Sequence, residues 1–168
     1  SQRTLTPSRG RGFLLHTKGE DPAAILANNP DKIAYAIGAS SGESSAKAAT
    51  AGKAAIGVAN HGIACAAVKA GKAKAAVVKN WWWETNRKKF PGLALYKLPG
   101  ISITRNPDNV LTASNAVPAD IQKKIAAAAR ARKDAFGAPQ MAPFDISRLD
   151  FPLELMAKGK IDPMTYSW

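Results

Sequence analysis

Between residues 32 and 79 the chain twice runs through a short apolar stretch, a turn of glycine and polar residues, and an alanine-rich stretch of helix formers, then opens a third such unit. The apolar stretches at 32–37, 54–59 and 73–78 read as strands. Residues 43–51 and 63–70 read as helices, closed by Gly52 and Gly71. Strands alternating with short helices imply βαβ units, because a parallel neighbour can be reached only by a crossover, which is usually helical. The expected class is therefore α/β: a mainly parallel sheet flanked by helices.

The flanking sequence extends this frame. Residues 13–17 form a further strand-like run, and Asp21-Pro22 is a helix start, an acidic cap followed by proline at the first helical position. Residues 93–98, 101–104 and 110–114 are strand-like, separated by turns rich in proline, glycine and asparagine. Pro118-Ala119-Asp120 opens a helix expected over 121–136, with Ile121, Ile125, Ala128 and Ala129 on one stripe. Residues 1–12 read as an exposed basic arm, residues 13–136 as the α/β lobe, and residues 137–168 as an extended docking tail. Prolines punctuate that tail, which also carries Phe144, Phe151, Leu153, Leu155, Met156, Tyr166 and Trp168. It is expected to lie across a surface of this chain or of another.

With 168 residues the chain amounts to one ordinary domain or one lobe of a bilobal protein. Its formal charge of +12 points to anionic partners: a small anion, an acidic protein or an anionic membrane surface. Nucleic acid fits less well, since basic and aromatic residues do not interleave as they do along a nucleic-acid groove. The single cysteine, Cys65, lies in a run of small residues and reads as a buried small hydrophobe. No stretch approaches the roughly 18 to 20 apolar residues of a spanning helix, and residues 1–11 lack the apolar core of a signal peptide.

In open α/β sheets ligands bind outside the carboxyl ends of the strands. Three turns occupy such positions: 38–42, 60–62 and 79–84. In the first, Gly38 and Gly42 let the backbone approach a ligand, and Ser40 and Ser41 bring hydroxyl donors. The same turn also fits a plain helix cap. His61 stands between Asn60 and Gly62, and the third turn runs from Asn80 into Trp81, Trp82 and Trp83, either a core cap or an aromatic wall. No serine has a credible His/Asp pair, no two carboxylates are placed for acid–base work, and the two histidines and one cysteine lack metal-ligand spacing. No catalytic residue, cofactor or metal is expected.

In this order the turns resemble a family: the periplasmic binding proteins of phosphate, phosphite and phosphonate transporters, within the type 2 periplasmic-binding fold. Ala34-Tyr35-Ala36-Ile37-Gly38-Ala39-Ser40-Ser41-Gly42 is similar to that family's strand ending in a Ser/Thr-Ser-Gly anion loop. Val58-Ala59-Asn60-His61-Gly62 resembles its Gly-Ser-His turn, with asparagine in place of serine. The run from Val68 through Gly71-Lys72-Ala73 to Asn80-Trp81 resembles its helix, Gly-Lys-Ala, strand and polar turn, with Asn80 where an acid is common. Asn106-Pro107-Asp108-Asn109-Val110-Leu111, followed by Val117-Pro118-Ala119-Asp120-Ile121, resembles its Asn-Asp turn, strand and proline-started helix. The resemblance spans about residues 13 to 136, and on it the segment that builds most of the first lobe is absent.

What the resemblance implies is a ligand site without catalysis. Ser40, Ser41 and Gly42 would hold the oxygens of a small oxyanion, phosphate- or phosphonate-like, with His61 as a further donor and Asn80 beside it. Asp108 would accept from the ligand. The expected role is a non-catalytic, periplasmic or otherwise extracytoplasmic subunit that serves as an interaction module in a larger assembly and can take a small oxyanion. Its protein partners would dock through residues 144–168 and through Trp81, Trp82 and Trp83. One alternative is the substrate-binding component of an ABC transporter for phosphate- or phosphonate-like anions. A second is a basic nucleic-acid-binding protein.

Overall fold

The computed structural model describes residues 3–5, 10–103, 110–136 and 141–167. In chain order its elements begin β1 (Arg3–Leu5), β2 (Gly12–Thr17), α1 (Pro22–Asn28), β3 (Ile33–Ala36) and α2 (Ser45–Ala49). They continue β4 (Ile56–Val58), α3 (His61–Lys69), β5 (Ala75–Lys79), α4 (Asn80–Asn86) and β6 (Leu93–Tyr96). The last are β7 (Val110–Thr112), α5 (Ala119–Ala131), β8 (Ala142–Pro143) and α6 (Asp150–Lys158). The chain forms two compact units: Ser1–Arg9 with Arg105–Asp150, and Gly10–Thr104 with Phe151–Trp168.

The larger unit is built on a sheet in the order β4–β3–β5–β2–β6. Strand β3 pairs in parallel with β4 and β5, while β2 pairs antiparallel with β5 and β6. The α/β class therefore stands, but the sheet is parallel on one side only. The central strands are buried on both faces, and their side chains alternate between two cores. Leu14, Ile33, Tyr35 and Val77 face one cluster, closed by Ile25 of α1, Ala46 of α2 and Leu155 of α6. Leu15, Ala34, Ala76 and Val78 face the other, closed by Ala64, Cys65 and Val68 of α3 and Trp83 of α4. Cys65 is fully buried, and burial pushes its thiol up to about 12, so it packs as a small hydrophobe.

Local chemistry explains the helix ends. Asp21 caps α1 by accepting from the Ala23 amide at 3.0 Å, with Pro22 at the first position. Asn60 caps α3 by accepting from Ile63 at 2.9 Å. Gly71, at φ +72°, closes α3 in the left-handed conformation that favours glycine.

Several expectations need correction. Residues 101–103 form a helical turn instead of a strand: the amides of Ile101 and Ser102 both donate to the Leu98 carbonyl. Ser102 is buried there, its hydroxyl donating to the Gly12 carbonyl and accepting from the Leu98 amide. The turn expected over 79–84 is helix α4 from Asn80 onward. The tail is not extended over 150–158 but helical, and Leu155, 1% exposed, completes a core.

The smaller unit holds a sheet in the order β7–β1–β8, with both pairings antiparallel. Part of the segment read as a basic arm is thus its central strand, β1. Helix α5 buries Gln122, Ala126 and Ala129, while Ile121 and Ile125 stay about two-fifths exposed. The buried stripe lies one residue round from the expected one, because the Gln122 amide donates to the carbonyls of Val117 (2.7 Å) and Ser114 (3.3 Å) and turns that face inward.

Candidate functional site

The carboxyl ends of β3, β4 and β5 lie along one edge of the larger unit's sheet, since these strands run in the same direction. Strand β2 runs the opposite way, with Gly12 opposite Lys79, so its beginning lies at that same edge. Arg11, just before β2, joins the row. Its amide donates to Asn80 Oδ1 at 2.9 Å and its carbonyl accepts from the Asn80 amide at 2.9 Å. Asn80 is buried and serves first as the clasp between β5 and the start of β2.

The Arg11 guanidinium lies 5.6 Å from the centre of the Phe13 ring, and its Nη1 donates to the Ser102 carbonyl at 3.4 Å. Its Nε is buried and has no hydrogen-bond partner among the described residues. The same holds for Nδ1 of His61, the first residue of α3. Burial, and secondarily the Lys79 ammonium, hold the His61 imidazole below its usual pKa, so it is neutral at pH 7. Its ring packs on Trp82, with centroids 5.6 Å apart and planes tilted by 52°.

The glycine–serine loop is folded tightly against this edge. Gly38, at φ +79°, reverses the chain after β3, and residues 40–44 make one wide helical turn ahead of α2. Ser41 and Gly42 are buried, Ser40 is partly exposed, and the Ser45 hydroxyl donates to the Ser40 carbonyl at 2.9 Å. A Cβ on Gly42 would stand 3.1 Å from the Ala36 carbonyl oxygen. One on Gly12 would stand 2.5 Å from the Ser45 hydroxyl and 3.0 Å from the Ser41 carbonyl. Two backbones therefore meet here with no room between them.

The loop also carries an anion of its own. Glu43 is buried, and its carboxylate accepts from the Gly38 amide at 3.2 Å and from the Tyr166 hydroxyl at 2.8 Å. Lys47 Nζ lies 3.5 Å away. Burial and the Glu43 bond push the Tyr166 hydroxyl up to about 12. Beside it is a cavity of about 170 Å³ lined by Gly38, Ser40, Glu43, Ser44, Met156 and Tyr166.

Of the residues singled out from sequence, Ser41 and Asn80 thus lie next to the start of β2, Ser40 and Gly42 frame the loop, and His61 stands at the β4 end. Asp108 lies outside the described residues. Arg11, Glu43 and Tyr166 were not anticipated, because what places them is strand direction and a contact 123 residues apart in sequence. Among the described residues no group of three His, Cys, Asp or Glu side chains gathers where it could hold a metal ion.

No protein-family model and no curated protein matches the sequence. Solved structures do match in fold. A Xanthomonas citri protein bound to ATP superposes with a TM-score of 0.65 at 14% identity, over 95% of this chain and 71% of its own. The binding-protein component of an ABC phosphonate transporter from Pseudomonas aeruginosa gives 0.63 at 13% identity, over 95% of this chain and 62% of its own. An ancestral arginine-binding protein bound to glutamine gives 0.53 at 20% identity, over 78% of this chain and 57% of its own. The chain thus spans between 57% and 71% of the length of these three proteins, and what it shares with them is the fold alone.

Proposed function

We propose that the chain is a non-catalytic, extracytoplasmic lobe of solute-binding type that takes a small oxyanion at the sheet edge bearing Arg11, Ser40, Ser41, Gly42, His61 and Asn80. The supporting observation is the pair of orphaned nitrogens, Arg11 Nε and His61 Nδ1, both buried at that edge. A buried polar group without a partner costs about 1–3 kcal/mol, so folds retain one where something else completes it. Arginine and histidine are donors suited to an oxyanion, and the Lys79 ammonium adds positive potential nearby.

Calorimetric titration of the full chain with phosphate, methylphosphonate, sulfate and glutamate tests this. One saturable site for a tetrahedral oxyanion is expected, weakened about tenfold or more by Arg11→Met and by His61→Ala, each of which removes a charged or polar donor. Absence of saturable binding by every anion would sink the reading. A second reading, an interaction module that has kept the fold and lost the ligand, is favoured by Glu43, which gives the Gly38 amide an internal carboxylate. It predicts silent titrations together with stable co-purification of a protein partner, lost on Trp81→Ala.

A further inference from the structure

Alongside these donors the same edge carries flat apolar surface. Trp81 and Trp82 follow Asn80 directly in the first turn of α4. Trp82 is engaged: it packs on the His61 ring and on Phe90, and its ring lies 3.7 Å from where a Cβ on Gly62 would stand. Its task is to orient His61. Trp81 is different. It is 48% exposed, and its ring is held by the Lys79 ammonium 4.8 Å from its centroid. Ile63, in the first turn of α3, is 47% exposed. An inorganic oxyanion, strongly hydrated and without a face to stack, would make no use of an indole displayed beside its donors. A ring would.

We infer that the solute is an aromatic anion, a planar ring bearing a phosphate or a similar oxyanionic group. This rests on the anion-binding reading above. The ring stacks on Trp81, and the anionic group reaches Arg11 and His61. Stacking a flat ring on an exposed indole contributes an affinity gain of about tenfold, and up to about a hundredfold, over the anionic group alone.

The test compares inorganic phosphate, phenyl phosphate and adenosine monophosphate on the full chain, by calorimetry and by quenching of tryptophan fluorescence. Both aromatic phosphates should bind about tenfold or more tighter than phosphate. Trp81→Ala should remove that preference, bringing the affinities for the two aromatic phosphates down to that for phosphate in the same variant, while Trp81→Phe, which keeps a ring, should retain most of it. Equal affinity for all three in the wild type overturns the aromatic inference and leaves the anion site standing. A preference that survives Trp81→Ala also overturns it. If none of the three binds, both readings fall together.

Discussion

Gly12 begins β2 with no side chain because the Ser45 hydroxyl and the Ser41 carbonyl already occupy the space a Cβ would need. The neighbour that must yield is itself anchored, since the Ser45 hydroxyl donates to the Ser40 carbonyl and Ser45 is buried. Gly12→Ala should therefore lower the urea midpoint by an amount worth about 1–3 kcal/mol, as overpacking of a filled site does. Gly92→Ala meets no atom within 4 Å and should stay within about 0.5 kcal/mol. Equal effects from the two would contradict the close contact described for Gly12. His61 makes a prediction of another kind. Its folded-state pKa is depressed, so as pH falls below the unfolded value of 6.5 the unfolded chain takes up the proton first and stability declines. An oxyanion on the ring would reverse that bias and draw the proton in. Sulfate keeps its charge over this range, so its affinity should rise between pH 7.5 and 5.5 in the wild type. In His61→Gln it should be nearly flat, and a slope surviving that change would remove His61 from the site.

At the scale of elements, α6 separates a docking tail from a core helix. Leu155 is almost wholly buried beside Leu14, Ile33 and Val77, whereas Met164 is 89% exposed. Leu155→Ala should destabilise by about 2–5 kcal/mol, and Met164→Ala should change the thermal midpoint hardly at all. Similar small shifts from both would return the segment to the role of a loose tail. Its helix escaped the sequence reading because Pro152 looks like a breaker. In fact it stands in the first turn, where the missing N–H has no intrahelical bond to lose. Elements whose signal is local were legible: the cap Asp21, the strand around Ile33–Ala36, and the glycine that closes α3. The loop at Gly38 to Gly42, His61 and Asn80 stood out for the same reason. Strand direction is not local. An antiparallel β2 has the same apolar run as a parallel one, so nothing in residues 10–17 announced that Arg11 would end beside Asn80. Tyr166 and Glu43 were invisible on the same ground, their bond joining distant segments.

For the whole molecule the consequence is a larger unit made from two stretches of chain, of which the second is short but completes the first. Leu155 and Ile161 bury against it, and the Tyr166 hydroxyl reaches Glu43 in the loop. Gly159 packs so closely on α2 that a Cβ would stand 2.8 Å from Lys47 Cβ and 3.0 Å from the Ala48 amide. Removing this stretch would expose the face of the sheet that carries Leu14, Ile33 and Val77 and leave the Glu43 carboxylate without its phenol. Losing two buried aliphatic side chains at about 2–5 kcal/mol each is comparable to the entire stability of a domain, about 5–15 kcal/mol. A chain ending at Asp150 should therefore lose the cooperative thermal transition of the larger unit and bind a hydrophobic dye. A synthetic peptide of residues 151–168, added in excess, should restore the transition by mass action, with a midpoint that rises with peptide concentration. The peptide carrying alanine at Leu155 should restore less. A truncated chain that melts cooperatively at the full-length midpoint would show instead that the sheet and the helices up to α4 suffice, and that the last stretch merely rests on them.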